Sequence, residues 1–140
     1  MPTIRVRYSV ETTATPEKLW DILADVDAWP QWQGTSSAKL LTPGPLKLGS
    51  TFRAELGGPT WVKTMIEIDR PNKMTWWGSF IGMKAIHGWE FQEEEGRTIA
   101  KTWEDMSGVT LLLLYLPIRI ALQRYDRKWL ENLKARAESS

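Results

Sequence analysis

The stretch VTLLLLYLPIRIALQRYDRKWLENLKARAE, Val109 to Glu138, decides the fold. Over its second half strand alternation is missing, and Ile118, Leu122, Tyr125, Trp129, Leu133 and Ala137 recur at spacings of three and four. That period predicts one long terminal helix with an apolar stripe along one face. Pro117 either starts its regular part or kinks it, because proline lacks the amide donor and crowds the preceding turn.

Almost everything upstream of this helix has strand character. Ile4, Val6, Tyr8 and Val10 alternate with Arg5, Arg7, Ser9 and Glu11, which predicts a first strand with one buried face. In TATPEKLWDILADV, Thr15 is placed to cap a short helix, with Pro16 at its first position and Glu17 in its first turn. Trp29 and Trp32 of DAWPQWQGTSS then fall in a turn or a second short helix.

Six further strands are predicted. They run from Ser37 to Leu41, from Ser50 to Leu56, from Trp61 to Asp69, from Lys73 to Trp77, through MKAIHGWEF, and from Arg97 to Met106. Phe52, Ala54 and Leu56 share a face of the second of these. In the third, Val62, Thr64, Ile66 and Ile68 form one face, and Trp61, Lys63 and Glu67 the other. Trp76 shares its parity with Met74 and is expected inside, which turns Trp77 outward.

Composition narrows the function. The 140 residues suit one domain, residues 1–140, large enough to fold without metals or disulfides. Eighteen basic residues against seventeen acidic ones supply no field for a nucleic acid partner. With no cysteine and one histidine, no cysteine-based or poly-histidine metal centre is expected, and no cofactor is implied. The longest uncharged stretch, Met106 to Ile118, has 13 residues, short of the roughly 20 of a membrane-spanning helix. The first residues contain no apolar run of signal-peptide length, so a cytoplasmic location is the expectation. Nine tryptophans exceed the needs of a core this size and suit the wall of a binding cavity.

The only histidine, His87, shares its strand parity with Ala85, Trp89 and Phe91 and is expected to face inward. There it can transfer a proton or orient a ligand oxygen. The plainer alternative is a wall residue hydrogen-bonded to a neighbouring strand. In TIAKTWEDM, Lys101 and Asp105 suit solvent, which turns Glu104 inward as a general acid or as a partner for His87; the plainer alternative is an ion pair at the strand end. Ile99 and Trp103 then lie outside.

The strings SVETTATPEKLWDILADVDAWPQW, LKLGSTFR, IHGWEF, GRTIAKTWEDMSG and LENLKARAE resemble, in this order, the SRPBCC superfamily and its polyketide cyclase/dehydrase-like branch. The resemblance spans roughly Thr3 to Glu138. It implies an α+β helix-grip fold, a seven-stranded curved antiparallel sheet wrapped around a long C-terminal helix, with two short helices between strands one and two. It also implies an internal cavity for a hydrophobic or aromatic small molecule.

The expected lining is Phe52, Ile66, Trp76, His87, Trp89, Glu104, Ile118, Leu122 and Tyr125. The fold does not by itself decide between carrying a ligand and transforming one. An enzyme of this branch would be a cyclase or aromatase using His87 and Glu104 as acid–base groups without a metal. The run Leu111 to Leu116, followed by Arg119 and Arg124, suggests a third use, as a lid or as peripheral contact with a membrane or partner; the alternative is burial on both sides. The oligomeric state, a homodimer included, is left open.

Overall fold

The computed structural model describes residues 2–139. It consists of β1 (Thr3–Thr12), α1 (Pro16–Ala24), a 3-10 turn (Val26–Gln31), β2 (Ala38–Leu40), β3 (Thr51–Glu55), β4 (Thr60–Asp69), β5 (Lys73–Phe80), β6 (Met83–Glu94), β7 (Arg97–Ser107) and α2 (Leu111–Glu138). The strands form one antiparallel sheet in the order β1-β7-β6-β5-β4-β3-β2, curved around α2, which packs on β1, β7 and α1. This is the helix-grip arrangement.

Local chemistry explains the elements. The Thr15 hydroxyl accepts the amide of Lys18 at 3.2 Å and Pro16 opens α1, so an otherwise orphaned donor is satisfied. The following 3-10 turn buries Trp29, whose indole N–H donates to the Leu23 carbonyl at 2.9 Å. Trp29, Phe52, Trp76, Trp89 and Trp129 meet in edge-to-face and tilted contacts with centroids 5.1–6.3 Å apart, and this aromatic cluster forms the larger core. A second cluster gathers Ile4, Val6, Trp61, Ala85, Met106, Leu111 and Leu122.

The outward tryptophans have their own seats. Gly88 has no side chain, and the Trp103 indole fills that space; a Cβ at Gly88 would stand 2.2 Å from the ring. The Arg7 guanidinium covers the ring's other surroundings, 5.4 Å from its centroid. Trp77 is half-buried, with the Lys84 ammonium 5.3 Å from its ring.

Two expectations need correction. In β4 the inner face holds Trp61, Lys63 and Met65, whereas Val62 and Ile66 point outward, with Ile66 44 % exposed. The reason is a bulge: Met65 pairs with Trp76 and Glu67 with Thr75, which leaves Ile66 as an extra residue. One inserted residue exchanges the two faces of a strand, so the apolar parity that suits Ile68 fails for everything before it. Ile66 therefore does not line a cavity.

The second correction concerns Leu111 to Leu116. Only Leu111 is buried; Leu112, Leu113, Leu114 and Leu116 are exposed, Leu113 at 89 %. Of the two outcomes expected at Pro117, the kink is the one found: the proline lies inside α2, with the helical geometry broken at Leu114 (φ −121°, ψ 23°). Lacking an N–H, Pro117 leaves the Leu113 carbonyl without its usual partner, and the first turns of α2 are set at an angle to the rest.

Candidate functional site

A cavity of about 260 Å³ lies where the two core clusters meet, between the sheet and α2. Its walls are mainly apolar: Leu56 and Pro59 from the β3–β4 turn, Trp61, Met83, Met106, and Ile118, Ala121, Leu122 and Trp129 from α2. Exposed Gly57 and Ala121 mark its mouth. Cavities of about 150 Å³ accept benzene, so this one suits a molecule of one or two rings.

The sheet register carries the polar groups inward. His87 on β6 lies opposite Trp76 on β5 and Glu104 on β7, so one row across the sheet reads Trp76, His87, Glu104. The imidazole stacks on Trp89 at 5.0 Å and meets the edge of Trp129 at 5.1 Å. His87 is 2 % and Glu104 6 % exposed.

The hydrogen-bond network assigns the histidine tautomer. The Thr102 hydroxyl donates its one proton to the Gly88 carbonyl at 3.0 Å. It therefore accepts from His87 Nε2–H at 2.7 Å, which leaves Nδ1 as the bare nitrogen of the neutral ring. Nδ1 stands 3.5 Å from Glu104 Oε1. That separation fits an ion pair, yet burial pulls the imidazole down to about 4, against the Glu104 charge and with the help of Lys63. Burial decides, and the ring is neutral at pH 7.

The structure adds two groups that sequence patterns did not single out. Lys63, 2 % exposed, enters from β4 and lines the cavity. Its stem crosses Gly78, where a Cβ would meet Lys63 Cδ at 2.7 Å, and its ammonium stands 4.1 Å from the Trp61 ring centroid. Burial pushes its pKa down, while the Glu104 charge, and that of Asp126 when ionised, oppose the shift.

Asp126 enters from α2, fully buried, with no protein donor facing either oxygen among the described residues. Burial first, then Glu104, drives its pKa well above the carboxylate range. Protonated, Asp126 becomes the donor in a hydrogen bond to Glu104.

Two signals could have found these residues. Asp126 lies four positions after Leu122 and three before Trp129, within the buried stripe of the helix. Lys63 shares strand parity with Trp61 and Met65.

Of the expected lining, His87, Glu104, Ile118, Leu122 and Tyr125 border the cavity. Phe52, Trp76 and Trp89 are instead fully buried in the aromatic cluster behind it. The Tyr125 hydroxyl accepts from Gln33 Nε2 at 2.9 Å, and burial raises it to about 12, so it is a neutral polar tip. His87, Glu104 and Asp126 offer ligand atoms within 4.8 Å of one another. A divalent cation there would need Asp126 deprotonated, which burial and Glu104 oppose, and would be repelled by the Lys63 charge.

Fold and cavity together define a helix-grip, ligand-binding or cyclase type of protein. The family described as "Polyketide cyclase / dehydrase and lipid transport" matches residues 3–138, and the chain belongs to it, within the SRPBCC superfamily. No curated protein sequence matches.

Solved structures with the same fold include the Zhui aromatase/cyclase from Streptomyces sp. R1128, with 18 % identity, TM-score 0.78, and 98 % of this chain and 94 % of that one covered. A START superfamily protein from Mycobacterium smegmatis is similar at 16 % identity and TM-score 0.78, covering 96 % and 97 %. A hypothetical protein, jhp0584, from Helicobacter pylori reaches 19 % and 0.80, covering 97 % and 88 %. Among the described residues, no helix is long and apolar enough to cross a membrane.

Proposed function

We propose that the chain binds a small apolar or aromatic molecule of one or two rings in the cavity between the sheet and α2, with His87 and Glu104 contacting the ligand's polar end. The observation that carries this reading is an apolar hollow of about 260 Å³ bordered by His87, Glu104 and Lys63. Recognition of this kind uses apolar walls for affinity and a few fixed polar groups for orientation. Trp61 and Trp129 line the hollow, so titration with 1-naphthol is expected to quench tryptophan emission saturably. Quenching that rises linearly with probe and never saturates would sink the reading.

A second reading, an acid–base enzyme of the cyclase type, is favoured by one feature of the site. A bare imidazole nitrogen and a protonated carboxyl, Asp126, share one buried cluster at neutral pH. A base and an acid held apart in their ionisation are what enolisation or dehydration of a carbonyl compound requires. On this reading His87→Ala or Glu104→Gln removes turnover and spares ligand affinity, whereas equal loss of both would mark these residues as binding groups only.

A further inference from the structure

We propose that Lys63 is a nucleophilic amine that condenses with an aldehyde or ketone carbonyl of the ligand to form an imine inside the cavity. This deepens the binding reading and rests on it. Three observations carry it.

The first is placement. Lys63 lies in a slot made by a glycine: Gly78 admits its Cδ where any side chain would collide, so the stem is held and its end is delivered to the cavity wall. The second is the amine's lack of partners. Among the described residues it makes no hydrogen bond and no ion pair within 4 Å, and its neighbour is the face of Trp61 at 4.1 Å. A buried lysine serving only as a counter-charge would be expected to be tied to its carboxylate. This one faces space that a ligand can occupy.

The third is the chemistry around it. Condensation needs a neutral amine, a proton donor for the departing oxygen and an acceptor for the amine's own protons. Burial lowers the lysine's affinity for its proton, against the opposing pull of Glu104 on β7 and, when ionised, of Asp126 on α2. Asp126 holds a carboxyl proton, and His87 on β6 presents a bare nitrogen.

The step balances. The Nζ lone pair attacks the carbonyl carbon, the π pair moves to oxygen, and the Asp126 proton neutralises it. The nitrogen gives a proton back to the Asp126 carboxylate. The resulting carbinolamine then loses its hydroxyl, protonated by Asp126, as water, while the nitrogen lone pair closes the C=N bond, and the iminium so formed gives its remaining proton back to the Asp126 carboxylate. Amine plus carbonyl yields imine plus water, with no change of oxidation state. An aryl aldehyde or aryl ketone fits both the apolar walls and the volume.

The test is reductive trapping of the intact chain with benzaldehyde and cyanoborohydride at neutral pH, read by intact mass and peptide mapping. A lowered pKa raises an amine's neutral fraction, so labelling at Lys63 is expected to exceed that at the surface lysines. One benzyl group per chain at Lys63, lost in Lys63→Arg, supports the proposal. Label confined to the α-amine and surface lysines overturns it, and mapping on the unmutated chain decides this even if a Lys63 variant does not fold. Saturable 1-naphthol quenching without Lys63 label overturns the imine alone. Absence of both overturns the cavity reading as well.

Discussion

Nδ1 of His87 stands 3.5 Å from Oε1 of Glu104, both side chains are buried, and the imidazole is nonetheless neutral at pH 7. In the unfolded chain this histidine titrates near 6.5, and in the folded chain near 4. Between those values the unfolded chain takes up a proton that the folded one refuses, so stability falls as pH drops through the window. The loss amounts to about 3 kcal/mol. Urea unfolding at pH 7 and pH 4.5 is expected to show this decline, and His87→Gln to flatten it. A variant that declines as steeply as the parent would show that other groups carry the effect.

Asp126 has the opposite sign. Its folded pKa is raised, so above the ordinary carboxylate range the unfolded chain releases a proton that the folded chain retains, and stability is lost as pH rises. Asp126→Asn keeps the local charge balance, with Lys63 facing Glu104, and removes that cost. Its melting temperature near neutral pH is expected to exceed the parent's. A lower value would mean that Asp126 is ionised and paired.

Gly88→Ala sets a Cβ 2.2–2.4 Å from the Trp103 indole, a rigid group seated against the strand. Overpacking of this kind costs about 1–3 kcal/mol. Combining it with Trp103→Ala is expected to recover part of the loss, because the clash then has no second party. Additive losses in the double variant would contradict that account.

Leu113 is 89 % exposed, and its replacement by aspartate removes no core contact. Leu113→Asp is expected to alter unfolding free energy by less than about 0.5 kcal/mol. If the exposed leucines of α2 dock on a membrane, the same change abolishes co-sedimentation with anionic liposomes. Parent protein that never sediments would dismiss that use of the patch.

Much of the architecture follows from local chemistry. Alternation is strict in β1 and β7 and is interrupted in β5 and β6 by the buried Thr75 and Gly88, and Ala85, His87, Trp89, Thr102 and Glu104 point inward as their parity requires. The Thr15 cap and the three-and-four spacing of α2 are read equally directly. The family resemblance in the ordered strings then agrees with the match over residues 3–138.

What the residue pattern by itself determined is the set of elements and their inner faces where pairing is regular, the inward turns of His87 and Glu104 among them. Those features depend on periods of two and of 3.6, which are properties of short segments. Only the tertiary structure decided that Ile66 is an extra residue, that Lys63 therefore lies inside, and that Asp126 is buried against Glu104. A bulge is set by how one strand registers on its neighbour, and a buried charge survives only through partners distant in sequence. Neither is a property of any segment alone.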